Sequence, residues 1–243
     1  MQLVLPTLTF RRPDGRLDTT ATARYAERAA ATWAHLFILS GTTTGGHHAT
    51  PAERATVVDL WADTVGTDRL TACCWTREDI DHAWRRNVVP MAVLRNLADQ
   101  AEALDFLSGL PRPVYLFSHP EFSPATCTPA LATAAAHAGV LPAAAKVSKM
   151  PVDQIRELRA STGPDFTIWD GTARHIADSL TAGTDGIVAA PLSHLPDPFP
   201  GPNVTALQHA IDTTQAHLDT LPSREARAAA LFHLAARPPG HAA

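Results

Sequence analysis

The sequence contains very little lysine. Among its 20 basic residues only Lys146 and Lys149 are lysines, and all the others are arginines. Arginine cannot replace lysine where an amine must react, because the guanidinium group stays protonated and is a poor nucleophile. The two lysines are therefore the first candidates for chemistry that needs an amine.

Cysteine is also scarce, with Cys73, Cys74 and Cys127 as the only three. Their number and spacing exclude a disulfide framework, and no CxxC pair is present to hold structural zinc. We expect all three cysteines to be reduced and buried, where they behave as small apolar side chains.

The chain has no excess of positive charge and no long apolar run. A formal net charge of −4 argues against nucleic acid or an anionic membrane as the main partner, and a small molecule is the better expectation. The N-terminus has neither the basic segment of a signal peptide nor an apolar stretch long enough for a membrane span. We therefore expect a cytoplasmic protein.

Apolar, β-rich segments alternate with segments of helical periodicity along the chain. This alternation is typical of a parallel sheet built from βα units. Strands are predicted at 3–8, 35–40, 69–75, 88–94, 113–118, 143–148, 165–170 and 186–190. Helices are predicted at 20–33, 51–65, 77–86, 97–107, 129–138, 152–161 and 174–182, followed by 204–220 and 223–236.

Eight βα units in 243 residues predict an α/β fold that closes into a (β/α)8 TIM barrel. We place the barrel core at 1–195. Residues 196–243 form a short C-terminal helical segment that completes the same domain, with a frayed Pro/Gly/Ala-rich tail. Thr50-Pro51-Ala52-Glu53 is a typical capping sequence and predicts the start of the second helix.

The catalytic residues of such a barrel lie where strands end and βα loops begin. After the second strand, Ser40-Gly41-Thr42-Thr43-Thr44-Gly45-Gly46 offers backbone N–H groups and hydroxyls that suit a carboxylate or a phosphate. In the sixth strand, small residues place Lys146 and Ser148 on one face of an apolar segment. A desolvated Lys146 would have a lowered pKa and be nucleophilic, whereas a lysine that reaches solvent from the strand end would not.

Two further strand ends carry candidate residues. In the fifth strand, Tyr115 and Phe117 share a face by period-two alternation, which packing of the barrel core would also explain. After the seventh strand, Trp169-Asp170-Gly171-Thr172 contains a glycine that would let a ligand or the backbone approach closely, or that simply forms a turn.

From Leu3 to about Ala190 the chain resembles the dihydrodipicolinate synthase and N-acetylneuraminate lyase family of class I aldolases. The family's Schiff-base lysine matches Lys146, and its later glycine matches Gly171. Other matching segments are Leu8-Thr9-Phe10 with 14–18 for the opening strand and turn, Gly41-Thr42-Thr43 with Glu53-Arg54 for GTTGE…ER, Phe117-Ser118-His119-Pro120 for YNxP, and 183–188 for the G-x-dG-x-I strand.

The resemblance implies an enzyme that forms an imine between Lys146 and pyruvate or another small 2-oxo acid, without metal or organic cofactor. An aldol, retro-aldol or dehydration step would follow, with an aldehyde as a possible acceptor. Thr42 and Thr43 would hold the carboxylate, and Thr43 would also take part in catalysis. The remaining residues that the resemblance places around the substrate are Thr44, Phe117, His119, Gly171 and Val188. A homo-oligomer, dimer or tetramer, is also implied.

The sequence departs from the family at several places, and two of these positions bear directly on the chemistry. The family's active-site tyrosine falls on Phe117, which has no hydroxyl with which to relay protons. Tyr115, two residues earlier on the same face of the strand, is our candidate for the missing catalytic hydroxyl, with Thr43, Thr44 and His119 as alternatives. The arginine found five residues beyond that tyrosine in many synthases falls on Phe122, so dihydrodipicolinate synthesis itself is not the expected reaction.

Two other interpretations remain open. The chain could be a non-catalytic relative that binds a 2-oxo acid or serves as a scaffold. It could be another barrel lyase or hydrolase that uses His119 with Asp170, although no nucleophile accompanies them. A metal site at His47-His48 and His119 is not predicted, because adjacent histidines rarely point at one ion and no carboxylate pair has ligand spacing.

Overall fold

Eight parallel strands close into a barrel in which every strand pairs with its neighbours in chain order. The computed structural model describes residues 1–236 except positions 96, 98 and 124, so the predicted tail at 237–243 lies outside the described residues. The predicted (β/α)8 TIM barrel with a short C-terminal helical extension is confirmed. Strands β1 to β8 are Gln2–Pro6, Leu36–Leu39, Leu70–Cys74, Val89–Val93, Tyr115–Ser118, Ala144–Val147, Thr167–Asp170 and Gly186–Val188.

Helices follow the strands on the outside of the barrel. Helices α1 to α9 are Thr19–Ala30, Pro51–Val65, Arg77–Arg85, Gln100–Ser108, Pro129–His137, Val152–Thr162, Ile176–Thr181, Val204–Asp219 and Arg224–Ala235. The capping box predicted at Thr50 is present, because its side chain accepts from the Glu53 N–H and Glu53 accepts from the Thr50 N–H. None of the helices in the described part of the chain is long and apolar enough to cross a membrane.

Several element bounds differ from the predicted ones. Helix α4 begins at Gln100 instead of 97, because the Asp99 side chain caps it by accepting from the Glu102 N–H; position 98 of the predicted helix is not described. Helix α7 begins at Ile176 instead of 174, because the N-cap residue His175 has a non-helical backbone conformation. Strand β8 ends at Val188, since the chain turns into the 3-10 helix Ala190–His194, which has proline at its start.

The side chains of the strands form two separate apolar cores. One lies between the strands and the helices, and includes Val147 and Ile168. The other fills the barrel interior, with alternate strand residues pointing inward because the side-chain period of a strand is two. This interior core consists of Val4, Leu36, Ile38, Cys73, Trp75, Met91, Val93, Phe117, Ala144, Trp169 and Val188.

The two C-terminal helices pack on the carboxyl end of the barrel. Helices α8 and α9 both contact the 3-10 helix Ala190–His194, and α9 also contacts the turn Thr42–Thr44 after β2. Ser193 fixes this region, because its hydroxyl donates to the Pro6 carbonyl and its own carbonyl accepts from the Tyr25 hydroxyl. Residues of α9 are thereby placed at the barrel mouth.

Candidate active site

Lys146 lies inside the barrel on strand β6. It aligns with Phe117 on β5 and with Trp169 on β7, both of which belong to the interior core. Ala144, one inward step below, and Ala145 are small, so β6 leaves room for the long lysine side chain. Only 7% of Lys146 is exposed. The strand therefore places the lysine on an apolar face, as the alternation of side chains predicted.

The Lys146 ammonium group has no anionic partner among the described residues. Its Nζ atom lies 4.0 Å from the centroid of the Phe117 ring, which attracts the positive charge through its electron-rich face. Burial lowers the pKa of Lys146 to about 8, with the Cys73 thiol opposing the shift and the charge of Arg224 adding to it. The unprotonated fraction of this amine near neutral pH is therefore far larger than that of an exposed lysine, although the protonated form still predominates.

Gly171 follows β7 and packs directly against Lys146 and Ser148. A methyl group at this position would stand 2.4 Å from Ser148 Oγ and 2.9 Å from Lys146 Cε, both closer than van der Waals contact allows. The Gly171 N–H donates to the Val147 carbonyl at 2.7 Å, and this hydrogen bond holds the two segments in their close approach. The glycine is therefore required by the space that the lysine occupies.

The glycine- and threonine-rich loop after β2 folds back on itself. Ser40 has a positive φ of 54°, and a side chain at Gly46 would meet the Ser40 carbonyl at 2.0 Å. The Trp75 indole N–H also donates to the Ser40 carbonyl, at 3.0 Å, and ties the loop to the end of β3. The loop thus has a defined conformation at the barrel mouth.

Thr42, Thr43 and Thr44 form a single 3-10 turn within this loop. The first N–H groups of a helical turn have no acceptor inside the turn, and Gly41 before it provides no side-chain cap. Thr42 is buried, whereas the Thr44 hydroxyl is directed to the Thr7 carbonyl at 3.3 Å. Thr43 lines a cavity of about 300 Å³ at the mouth, together with cationic side chains of the β6 loop and α9.

A buried ion pair supports the same loop from behind. Arg54 Nε donates to Asp79 Oδ1 at 2.9 Å, and both side chains are almost fully buried. Arg54 Nη1 also donates to the Ala49 carbonyl in the loop, while Asp79 accepts from the Trp75 and Thr76 N–H groups at 2.8 Å each. Arg54 therefore positions the threonine loop without facing the barrel interior.

His119 lies just after β5, close to Lys146. Its ring is parallel to the Phe117 ring with centroids 6.1 Å apart. Burial and then the Lys146 charge lower the His119 pKa to about 4, so the imidazole is neutral at pH 7. The Glu121 N–H donates to His119 Nδ1 at 3.2 Å, which places the proton of the neutral ring on Nε2. His119 can consequently donate a hydrogen bond but is a poor proton acceptor.

Tyr115 occupies the layer below Lys146. It aligns with Ala144, two residues before the lysine, and its ring packs edge-on against Trp169 with centroids 5.2 Å apart. Burial raises the pKa of its phenol. The hydroxyl makes no hydrogen bond with any described residue, and no contact joins it to the Lys146 amine. The structure therefore gives the expected catalytic role of Tyr115 no geometric support.

Aromatic side chains narrow the entrance above Lys146. Trp75 lies with its ring centroid 5.9 Å from both Phe117 and Phe122, and His47 and His119 each lie 5.0 Å from Phe122. Burial lowers the pKa of His47 to about 4, so it too is neutral. Among the described residues no group of three or more His, Cys, Asp or Glu side chains could hold a metal ion.

The structure brings together most of the predicted site residues, but not all of them. Phe117, His119 and Gly171 surround Lys146, and Val188 belongs to the same interior core. Asp170 is not available as a partner of His119, because its buried carboxylate accepts from Thr172 in its own loop and from Ser179 in α7.

Arg224 is a site residue that the sequence did not indicate. Its guanidinium lies 4.9 Å from the centroid of the Phe122 ring and donates to Glu121 at 2.7 Å. Arg224 comes from α9, about 80 residues after Lys146, and an exposed arginine at the start of a helix carries no distinctive pattern. Only the packing of α9 over the mouth identifies it.

Comparisons of the whole chain with solved structures return barrels of one kind. The 2-keto-3-deoxygluconate aldolase of Sulfolobus sulfataricus has a TM-score of 0.75 and 16% identity, over 97% of this chain and 85% of that one. YagE of E. coli K12, a dihydrodipicolinic acid synthase family protein solved with pyruvate, has a TM-score of 0.70 and 19% identity, over 96% of this chain and 79% of that one. Dihydrodipicolinate synthase of Aquifex aeolicus has a TM-score of 0.71 and 15% identity, over 96% of this chain and 80% of that one.

At these identities the likeness concerns the fold. No family model matches the sequence, and no curated protein matches it. The resemblance to the dihydrodipicolinate synthase family inferred from Lys146, Gly171 and the threonine turn is thus confirmed in the architecture of the barrel. Function has to be argued from the site.

Proposed function

We propose that the protein is a class I aldolase or lyase that forms a Schiff base between Lys146 and pyruvate or another small 2-oxo acid. The observation that carries the proposal is the burial of the Lys146 amine inside the barrel without a carboxylate partner. Burying an unpaired ammonium group costs free energy, and a protein with no use for the amine would gain by replacing it. The shared barrel of the aldolases supports this assignment.

The chemistry follows from the state of the amine. With a pKa of about 8, a minor fraction of Lys146 is neutral at physiological pH, and this neutral amine attacks the ketone carbon of the 2-oxo acid. The resulting protonated imine withdraws electrons from the neighbouring carbon. A carbon–carbon bond can then form in an aldol step or break in a retro-aldol step, and a leaving group can depart in a dehydration.

The residues around the amine suit a small anionic substrate. We assign the carboxylate of the 2-oxo acid to Thr42 and Thr43, with Thr44 shaping the same turn. Gly171 and Val188 would line the interior wall of the substrate site, and Phe117 would form the surface beneath the imine. His119 donates a hydrogen bond from Nε2 to an oxygen of the substrate, since its other nitrogen is already occupied.

The cations at the mouth add to the attraction for an acid. Lys149, Arg224 and Arg227 line the adjoining cavity, where Glu121 is the only carboxylate among the described lining residues. A mouth with one predominant sign of charge raises the local concentration of ligands of opposite sign. An aldehyde acceptor would enter by the same route. We do not assign dihydrodipicolinate synthesis, because Phe122 replaces the arginine expected for that acceptor.

The second candidate function is non-catalytic binding of a 2-oxo acid, or a scaffold role. One observation favours it: neither Phe117 nor Phe122 has a group that can transfer a proton or pair with a carboxylate. Against it stands the buried amine, which binding alone does not require. We also propose that the barrel 1–195 and the segment 196–243 form one domain, and that the protein is cytoplasmic and a homo-oligomer.

Borohydride reduction in the presence of pyruvate and a panel of 2-oxo acids tests the proposed function. We expect an irreversible adduct on the peptide that contains Lys146, read by intact-protein and peptide mass spectrometry. Lys146→Ala should remove the adduct completely, and Lys149→Ala, the matched control at the only other lysine, should leave it unchanged. Failure of every acid to label folded protein between pH 7 and 9 would refute Schiff-base chemistry.

A further inference from the structure

The hydroxyl group of Ser148 is buried beside the reactive amine and has no hydrogen-bond partner. Only 7% of Ser148 is exposed, and its Oγ atom contacts neither solvent nor any polar atom of the described residues. A buried hydroxyl without a partner destabilises a folded protein, and native structures contain few of them. An unpaired hydroxyl in this position therefore calls for an explanation.

Ser148 is held in place by the backbone and not by its side chain. It lies two residues after Lys146 and thus on the same face of the chain. Its N–H donates to the Ser118 carbonyl at 2.9 Å, which continues the pairing of β5 with β6. Ser148 Oγ and Lys146 Cε lie 2.4 and 2.9 Å from the point that a Cβ atom at Gly171 would occupy. The Ser148 hydroxyl and the end of the Lys146 side chain that carries the amine are thus close neighbours.

Three other buried serines use their hydroxyls, whereas Ser123, in the loop after β5 and far from Lys146 in sequence, is unpartnered like Ser148. Ser118 Oγ accepts from the Cys127 N–H at 2.9 Å, Ser179 Oγ donates to Asp170 at 2.7 Å, and Ser193 Oγ donates to the Pro6 carbonyl at 2.6 Å. Ser148 keeps both its donor and its acceptor capacity unused. A group that can accept a proton on one side and donate one on the other is what Phe117 cannot supply.

We propose that Ser148 is a catalytic residue that relays protons from the Lys146 nitrogen to the departing oxygen of the 2-oxo acid. This inference rests on the proposed Schiff-base function. The neutral amine attacks the ketone carbon, a carbon–nitrogen bond forms, and the carbonyl π electrons move to the oxygen. Ser148 accepts a proton from the nitrogen and donates its own proton to that oxygen, which gives a neutral carbinolamine and regenerates the serine.

Loss of water from the carbinolamine uses the same path. The nitrogen lone pair forms the imine double bond, the carbon–oxygen bond breaks, and the oxygen leaves as water after a second proton has reached it. Across the sequence, the lysine ammonium and the ketone become a protonated imine and one water molecule. The proton that the ammonium group releases to solvent before the attack is balanced by the second proton, which Ser148 passes from solvent to the oxygen, so three hydrogens on nitrogen become one on nitrogen and two on water.

Single-turnover imine formation with pyruvate, quenched by borohydride at successive times, tests the relay. We expect Ser148→Ala to slow labelling of Lys146 by a factor of about 100 or more, the range of a general acid–base contribution, while labelling still reaches completion. Ser148→Thr should restore the rate to within about tenfold of wild type. The solvent deuterium isotope effect on imine formation should be large in wild type and decrease in Ser148→Ala.

Thr184→Val is the matched control. Thr184 is also buried with an unpartnered hydroxyl, but it precedes β8 at the opposite end of the barrel. Removing either hydroxyl should leave the melting temperature unchanged or raise it, because neither makes a hydrogen bond that would be lost. Only Ser148→Ala should change the labelling rate.

The outcomes separate the two proposals. If wild-type protein is not labelled, the Schiff-base function fails and the relay fails with it. If wild-type protein is labelled and Ser148→Ala is labelled within a factor of two of its rate, the aldolase function stands and the relay alone is refuted. A slow Ser148→Ala that Ser148→Thr does not rescue, with an unchanged isotope effect, would assign Ser148 to packing and overturn its catalytic role.

Discussion

The interior and the rim of the barrel mouth each contain one of the two lysines, and the pair shows how location decides chemistry. Lys146 is buried within β6 without a carboxylate partner, over the ring of Phe117. Lys149, three residues later, has a side chain that is 56% exposed and forms an ion pair with Glu121. The same amine is desolvated in one place and hydrated and paired in the other.

The backbone accounts for this difference. Lys146 is fixed by strand pairing on both sides, which directs its side chain inward. Lys149 follows the strand in the left-handed region, with a φ of 58°, and the chain turns outward there. Desolvation raises the free energy of a charged group far more than an exposed ion pair lowers it. The reactive lysine is therefore the one that the strand retains.

The largest effect on stability should come from a third cation, Arg54, which is buried like Lys146 but paired. Arg54→Leu would leave the Asp79 carboxylate buried without its partner, and we expect a loss of about 3–5 kcal/mol in the free energy of unfolding. Urea denaturation measures it. Arg77→Leu, which removes an exposed pair on the helix that carries Asp79, is the control and should cost about 1 kcal/mol or less. Equal losses in both variants would contradict the importance of burial.

The stability contribution of Lys146 should depend on pH in a defined window. Its pKa is about 8 in the folded protein and near 10.5 when exposed, so above pH 8 the unfolded chain binds more protons than the folded one. Stability from this residue therefore rises between pH 8 and 10.5, by about 3 kcal/mol in total, and the penalty is fully present below pH 8. Denaturation of wild type and Lys146→Met across this range measures the difference.

Lys146→Met should be more stable than wild type below pH 8, and the gap should close as the pH approaches 10.5. The thioether is apolar, flexible and similar in length, so it fills the site without a charge. A gap that stays constant with pH would mean that the amine is not desolvated in the folded protein. That result would also weaken the case for a nucleophilic lysine.

The Phe117 ring should hold part of the positive charge of Lys146. Phe117→Leu removes the electron-rich face 4.0 Å from Nζ, a contact that contributes about 1–2 kcal/mol where the cation is desolvated. The charged form is then less stable, so the pH midpoint of borohydride labelling should fall. Val93→Leu, a change elsewhere in the interior core, is the control and should leave the midpoint in place. A midpoint that rises in Phe117→Leu would contradict the contact.

The barrel and the position of Lys146 could be predicted because both depend on local pattern. Eight apolar segments alternate with helical ones, and the period-two rule assigns Lys146 a face before any tertiary contact is known. Gly171 was also recognisable, because a glycine directly after a strand indicates a close approach. The element bounds were less predictable: Asp99 and His175 set helix starts through a side-chain cap and a non-helical backbone conformation, which the hydrophobic pattern does not reveal.

The rest of the site depends on contacts between distant segments. The layer that Tyr115 occupies is set by the register of β5 against β6, and a shift of one layer separates its hydroxyl from the amine. The Ser148 hydroxyl lacks a hydrogen-bond partner because of where the neighbouring segments lie, and the sequence of one segment does not reveal that arrangement. Arg224 reaches the mouth only because α9 packs against the threonine turn. These features arise from the pairing of the strands and the packing of the helices, and therefore appear only in the folded structure.

The smallest effect should come from the rim lysine. Lys149→Gln removes an exposed ion pair whose partner Glu121 also accepts from Arg224, so the carboxylate keeps a cation. We expect a change of about 0.5 kcal/mol or less in unfolding free energy, and less than a twofold change in the rate of pyruvate labelling. Salt should abolish the small stability difference, because exposed charges are screened. A tenfold loss of labelling in Lys149→Gln, with Lys149→Arg restoring it, would instead make the rim charge part of substrate binding and remove the contrast between the two lysines.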